Sequence, residues 1–262
     1  MGTMASPHGD GSEADHVAEL RSTGQHLVDL VGLSGSAVGV RFIGPDSEVP
    51  AGISALAQHR YCQALMRARR GQTVLLDGNG IACPAAAAAF GFRPLPDGLR
   101  SGKGLVGFGI VSDEAVGRRM FEGMLRLDPG SIRALHLYPL EKAEYPPDVI
   151  VVEDEVEKLM WISLAYLNAT GGERVCGSTA ILQATCVDAT VIPYLEKRLN
   201  ISYGCYGCRD ATDLGHNETV LGFPGSVLPA LIVHLEALSK KAMPASRGKK
   251  AWLAIQQRGV QQ

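Results

Sequence analysis

Short β-rich runs alternate with segments of helical periodicity along most of this chain, and this alternation constrains the fold more than any other feature. Residues 36–43 and 219–223 are strand-like, whereas residues 154–168 place apolar side chains at helical spacing. Elements that alternate in this way are typical of a sheet covered by helices. We therefore predict an α/β or α+β fold, with a mixed sheet flanked by helices in a single compact domain.

The same periodicity predicts the other elements and the domain limits. Helices are predicted over residues 15–33, 54–70, 81–90, 113–127 and 226–238, and strands over residues 73–76, 132–140 and 149–152. Glycine and proline dominate residues 91–105, which are interpreted as a loop. We expect a disordered leader over residues 1–14, one domain over residues 15–240 and a basic mobile tail over residues 241–262.

Composition and charge exclude several classes of protein. Hydrophobic residues make up 46% of the chain and charged residues 20%, which indicates a globular protein rather than a disordered one. The net charge of −2 gives no general attraction to nucleic acid. No apolar run reaches the roughly 20 residues of a membrane helix, and the acidic N-terminus does not resemble a secretion signal. We expect a cytoplasmic protein without nucleic-acid or membrane partners, with a homodimer as the generic expectation.

Six cysteines are the features most directly tied to chemistry. Two form a CxxC motif, and four are spread along the chain; they are Cys62, Cys83, Cys176, Cys186, Cys205 and Cys208. Without a secretion signal, such cysteines more often serve metal or redox chemistry than structural disulfides. The sequence therefore indicates a thiolate-based site.

Cys83 has the clearest local environment. It directly precedes Pro84, and proline is favoured at the first position of a helix. Cys83 is thus expected at a helix N-cap, where the helix dipole favours a thiolate that can act as metal ligand or nucleophile. An inert buried cysteine is the alternative.

Cys62 lies within the helix predicted over residues 54–70. His59 and Met66 stand three residues before it and four after it, which places the three side chains on one helix face. His59 and Cys62 could then offer a nitrogen and a sulfur to a metal. Simple packing of Cys62 as a small apolar residue is the alternative.

The CxxC motif, Cys205-Tyr206-Gly207-Cys208, supplies half of a metal site. A second CxxC is missing from the sequence, which argues against a zinc ribbon. We expect no helix to start at Cys205, so a thioredoxin-type centre is not favoured. Arg209 would stabilise thiolates beside it, and His216 could join both cysteines as a zinc ligand.

Several short motifs together resemble one family. They are residues 60–64 (RYCQA), 81–84 (IACP), 166–172 (YLNATGG), 205–209 (CYGCR) and 222–224 (GFP). In this order they resemble the uncharacterised ArCR family of bacteria and archaea, over about residues 25–240. The resemblance implies that Cys62, Cys83, Cys186 and Cys205 occupy the recurrent cysteine positions of the family, and that Cys176 and Cys208 are more particular to this chain. It implies no reaction.

Among the cations of residues 91–105, Arg100 and Lys103 lie in a glycine-containing run. The run around them fails the phosphate-loop pattern, because its spacing is one residue short and Gly104 replaces the magnesium-binding hydroxyl. An anion-binding role for the two side chains stays open beside that of an ordinary flexible loop.

Three functional hypotheses follow, and the first is preferred. It is an iron–sulfur protein with a redox or accessory metabolic role, and its partner would be a redox protein or a small molecule. The expected cluster ligands are Cys62, Cys83, Cys186 and Cys205, with Cys208 and Cys176 as substitutes or as a redox pair. The second is a small-molecule-binding module or transferase with structural cysteines and a pocket at residues 91–105. The third is a structural zinc protein that uses the CxxC motif and His216.

Overall fold

The computed structural model describes residues 13–180 and 182–243. Within these residues lie ten α-helices and six strands. The helices are α1 (Glu13–Val31), α2 (Tyr61–Arg69), α3 (Pro84–Ala89), α4 (Asp97–Arg100), α5 (Lys103–Gly107), α6 (Glu114–Glu122), α7 (Val156–Ala169), α8 (Ile192–Glu196), α9 (Tyr206–Ala211) and α10 (Leu228–Lys241). The strands are β1 (Val38–Ile43), β2 (Val74–Asp77), β3 (Ala134–Pro139), β4 (Val149–Glu155), β5 (Asn200–Ser202) and β6 (Glu218–Pro224).

The six strands form one sheet in the order β2-β3-β1-β4-β6-β5. Neighbouring strands are antiparallel in every pair, with Val40 opposite Leu137 and Val151 opposite Gly222. The expected sheet flanked by helices is confirmed. Its named strands pair antiparallel throughout rather than in the expected mixed arrangement, which identifies the fold as α+β.

Both faces of the sheet are buried. Val149 and Val151 of β4 point into one core together with α2, α3 and residues 184–191. Ile150 and Val152 point into a second core beneath α1, α7 and α10. Because side chains alternate along a strand, a run of apolar residues such as 149–152 supplies both cores at once.

Most predicted elements are confirmed, but one helix begins later than predicted. Helix α2 starts at Tyr61, whereas the sequence predicted a helix over residues 54–70. Residues before Tyr61 run beside β2 instead, where the N–H of Leu56 donates to the carbonyl of Leu75 over 2.8 Å. Bridges join Ala55 to Leu75 and His59 to Ile81. Pairing with the sheet edge therefore replaces helix formation in this segment.

Residues 184–191 form a π-helix (Ala184–Val191) that the sequence did not predict. Gln183 precedes it in the left-handed region, with φ 65° and ψ 27°. The π-helix lies directly on β6, since a Cβ added to Gly222 would stand 1.8 Å from the carbonyl oxygen of Ala189. Only glycine permits this approach.

The predicted termini fall largely outside the described residues. Helix α1 begins at Glu13, inside the predicted leader, while residues 1–12 are not described. Helix α10 ends at Lys241, and residues 244–262 of the predicted tail are not described. None of the described helices combines the length and apolar character needed to span a bilayer.

Candidate functional site

Five of the six cysteines line one cavity of about 330 Å³. They are Cys62, Cys83, Cys186, Cys205 and Cys208. They come from four separate segments of the chain: α2, the start of α3, the π-helix and the start of α9. The fold thus brings together the four cysteines expected as ligands and the second cysteine of the CxxC motif.

Cys83 occupies the predicted position at a helix N-cap. It is the N-cap residue of α3, with Pro84 at the first helical position and an extended backbone at ψ 116°. The cysteine is half-buried. The local prediction from the Cys-Pro pair is confirmed, because proline fixes the backbone with which a helix begins.

Cys62 lies in the first turn of α2 and is buried. His59 precedes the helix, and its Nδ1 lies 2.7 Å from the carbonyl oxygen of Ala57. His59 and Met66 line a different surface groove, beside α9. The predicted helix face shared by His59, Cys62 and Met66 is therefore wrong, because α2 starts after His59.

Cys186 is held by the π-helix. Its thiol donates to the carbonyl of Gln183 over 3.6 Å. Burial raises the pKa of Cys186 well above the usual thiol value, and the nearby Cys83, Cys205 and Cys208 raise it further. The mutual electrostatic effect is consistent with thiols that face a common space.

The CxxC motif begins a helix, contrary to the sequence-based expectation. Cys205 is the N-cap of α9, and its sulfur accepts the backbone N–H of Cys208 over 3.1 Å. The Cys205 thiol donates to the sulfur of Cys208 over 2.9 Å. The Thr185 hydroxyl lies 3.1 Å from the Cys208 sulfur. Cysteine here fills the capping role that Ser, Thr, Asp or Asn usually take.

The environment keeps the CxxC thiols protonated. The hydrogen bond to Cys208 and burial raise the pKa of Cys205 far above its usual range. For Cys208, the hydrogen bond from Cys205 lowers the pKa, but its hydrogen bond to Cys62 and burial raise it to about 12. A cation bound in the cavity would have to displace these protons.

Arg60 is a residue of the site that sequence analysis did not single out. It lines the cavity, and its Nη1 donates to the carbonyl of Gly207 over 3.0 Å. A Cβ added to Gly207 would stand 3.3 Å from Arg60 Nη1 and 3.9 Å from the sulfur of Cys205. The guanidinium therefore lies beside the CxxC motif. The position of Arg60 directly before Tyr61 and Cys62 in the sequence is the feature that indicates its place at the site.

Gln183 is the second residue that sequence analysis did not identify. It lines the cavity with only 6% of its surface exposed. Its side-chain amide nitrogen is buried without a hydrogen-bond partner among the residues that the structure describes. Such a donor usually costs about 1–3 kcal/mol, which a ligand that accepts the hydrogen bond would recover.

Other predicted site residues lie away from the cavity lining. Cys176 is exposed, and its carbonyl accepts a hydrogen bond from Arg198. Arg209 donates to the carbonyls of Tyr203, Gly215 and Glu218, which fixes the backbone on both sides of α9. The guanidinium of Arg209 is thus engaged with main-chain oxygens.

Arg100, Lys103 and His216 are exposed as well. Arg100 pairs with Asp97 and lines an open surface groove on another part of the molecule. Lys103 and His216 are not among the cavity-lining residues. Residues 91–105 instead contribute Leu99 and Leu105 to the cavity wall.

In the described part of the chain, no group of three or more His, Cys, Asp or Glu side chains is arranged so that it could hold a metal ion.

Comparisons with known proteins agree with the motif resemblance. Searches of curated proteins and of solved structures gave no significant match. The sequence pattern of the family described as Uncharacterised ArCR matches residues 26–234, which include the whole sheet and all the cysteines of the cavity. The chain therefore belongs to the uncharacterised ArCR family.

Proposed function

We propose that the thiol-lined cavity binds an iron–sulfur cluster with a redox or accessory metabolic role. The observation that carries the proposal is the convergence of five cysteines from four chain segments on one cavity. Cys62, Cys83, Cys186 and Cys205 are the proposed ligands, with Cys208 as a fifth thiol that can replace one of them. A redox protein or a small molecule would then be its partner.

The chemistry of these thiols sets a condition that a bound metal must meet. Burial and mutual interaction disfavour their ionisation, as the raised pKa values of Cys186, Cys205 and Cys208 indicate. Iron would replace the thiol protons and offset the repulsion between thiolates. The positive charge of Arg60 beside Cys205 would stabilise the negative charge of a cluster with thiolate ligands.

Zinc is the alternative metal, and the positions of the side chains make it less favoured. Cys205 and Cys208 are close enough to share one ion, but the exposed His216 does not reach the cavity lining. A zinc site would have to recruit another cysteine of the cavity, such as Cys62, which shares a hydrogen bond with Cys208.

A small-molecule-binding module or transferase is the second candidate function. The observation in its favour is the apolar part of the cavity wall, to which Leu99 and Leu105 contribute from the segment predicted to form a pocket. In that case the cysteines would be buried packing residues.

The test is purification without oxygen, followed by analysis of iron, acid-labile sulfide, zinc and copper and by a visible spectrum. We expect iron and sulfide in equal amounts and a broad visible absorption. The Cys83→Ala variant should lose the iron and the sulfide. The Cys176→Ala variant, which lacks an exposed cysteine outside the cavity, should retain them. Metal-free wild-type protein, or unchanged iron in Cys83→Ala, would contradict the cluster.

A further inference from the structure

We infer that the outer part of the thiol-lined cavity binds a small aromatic carboxylate, with the ring against an apolar wall and the carboxylate at Arg60. This inference goes beyond the cluster and does not require metal to be present. It rests on the part of the cavity that the cysteines do not occupy.

The apolar wall comes from one stretch of the chain. Four apolar residues line the cavity: Leu99 of α4, Leu105 of α5, Ile110, which precedes α6, and Phe121 within α6. Leu105 and Phe121 are buried and anchor the wall, whereas Ile110 is partly exposed. The wall can therefore hold a hydrophobic group without rearrangement of the core.

Two aromatic side chains stand uncovered at the cavity. Phe108 is 77% exposed and Tyr206 is 68% exposed, although both contribute to the lining. Aromatic rings gain from offset or edge-to-face contact with another ring, beyond the area that they bury. An aromatic ligand would cover both side chains and make such contacts.

Arg60 provides a charge that selects a carboxylate. Among the described residues, no carboxylate lies within ion-pair distance of the Arg60 guanidinium. The guanidinium donates a hydrogen bond to the backbone carbonyl of Gly207. The planar fork of arginine matches a carboxylate with two parallel hydrogen bonds. Asp210 also lines the cavity and is exposed, so its negative charge opposes an anionic ligand.

The cavity volume limits the size of the ligand. A volume of about 330 Å³ is at the lower end of the range of about 300–1,000 Å³ for small-molecule sites. A single ring with one carboxylate suits this space. Benzoate is the simplest such molecule, and benzyl alcohol is its uncharged counterpart.

The test measures binding of benzoate and benzyl alcohol to metal-free protein by ligand-observed NMR titration. Arg60→Gln should weaken benzoate binding about tenfold and leave benzyl alcohol unchanged, as for loss of a charged hydrogen bond. Phe108→Ala should weaken both ligands about threefold to tenfold. Val233→Ala, which removes an exposed apolar side chain of α10 outside the cavity lining, should change neither.

Asp210→Asn provides a second variant, because Arg60 also precedes α2 and its loss could disturb folding. This surface substitution should strengthen benzoate binding and leave benzyl alcohol unchanged. The inference is overturned if wild-type protein binds no benzoate at millimolar concentration, or if both Arg60→Gln and Asp210→Asn keep the wild-type ratio of the two affinities. Absence of iron after anaerobic purification would contradict the cluster alone, since the titration uses metal-free protein.

Discussion

The sulfur atoms of Cys205, at the N-cap of α9, and Cys208, in its first turn, lie 2.9 Å apart. The Cys205 thiol donates a hydrogen bond to the Cys208 sulfur at this distance. This proximity makes the CxxC motif a dithiol that a single thiophilic atom can bridge, whether or not the other three cysteines take part.

Phenylarsine oxide should therefore bind metal-free protein at one equivalent. Trivalent arsenic would bond to both sulfurs of Cys205 and Cys208, and its oxygen would leave as water with the two thiol protons. Mass spectrometry of the intact protein would show the adduct, which Cys205→Ser should abolish and Cys176→Ala should not. An adduct that persists in Cys205→Ser would show that other thiols form the reactive pair.

Replacement of Gly222 should severely destabilise the fold. A methyl group at this position would meet the carbonyl oxygen of Ala189 at 1.8 Å, so Gly222→Ala must push the π-helix away from β6. We expect a loss of about 3 kcal/mol or more in the free energy of unfolding, typical of severe overpacking. Gly98→Ala is the control, since no atom lies within 4 Å of the added methyl group, and its effect should stay within about 0.5 kcal/mol. Chemical denaturation measures the free energy of unfolding of both variants.

Glu153 should make the protein less stable as pH rises. Burial raises the pKa of Glu153 from 4.5 to about 7, and neither carboxylate oxygen has a hydrogen-bond partner among the described residues. The folded state therefore holds this proton at pH values where the unfolded chain has lost it. Its stability contribution is greatest below about pH 4.5, declines as pH rises and levels off above pH 7.

Glu153→Gln removes this dependence, since glutamine carries no charge. The variant should gain up to about 3 kcal/mol over wild type at pH 8, and the gain should shrink toward pH 5. Free energies of unfolding of the wild type and of Glu153→Gln, measured between pH 5 and 8, test this expectation. A gain independent of pH would mean that Glu153 does not titrate in this range.

Arg69 and Glu218 form a largely buried ion pair with the opposite pH dependence. Arg69 donates to both carboxylate oxygens of Glu218 and to Ser34, and its hydrogen bonds lower the pKa of Glu218. A lowered pKa stabilises the fold above the unfolded value, and this stability is lost as pH falls through the folded value. Glu218→Gln should cost about 3 kcal/mol at pH 7, because it leaves the Arg69 charge buried.

The exposed pair of Arg70 and Asp213 provides the matched control. Asp213→Asn should change the free energy of unfolding by less than about 1 kcal/mol, since water screens this pair. Thermal or chemical unfolding at pH 7 compares the two variants. Equal effects would show that burial does not strengthen the Arg69 pair.

The sequence predicted features that depend on local backbone chemistry. The cap at Cys83 follows from Pro84 alone, and the continuous apolar run of residues 149–152 is typical of a strand that is buried on both faces. These signals involve neighbouring residues and need no knowledge of the rest of the fold.

Features that depend on tertiary contacts were not predicted from the sequence. The π-helix at Cys186 depends on a left-handed Gln183 and on the surface that Gly222 provides, and neither leaves a periodic pattern. Cys205 caps α9 with a sulfur atom, which the usual capping residues do not suggest. The convergence of the cysteines required the sheet order, because α2, the π-helix and α9 are distant in sequence.

The contact between Gly222 and Ala189 also sets an order of assembly. The π-helix that carries Cys186 rests on β6, a strand that follows it in the chain and pairs with β4 and β5. Before β6 joins the sheet, the π-helix lacks the surface on which Ala189 rests and Cys186 lacks this support. Insertion of the proposed cluster would therefore be complete only once this strand is in place, and a chain interrupted before Gly222 would present an incompletely supported site.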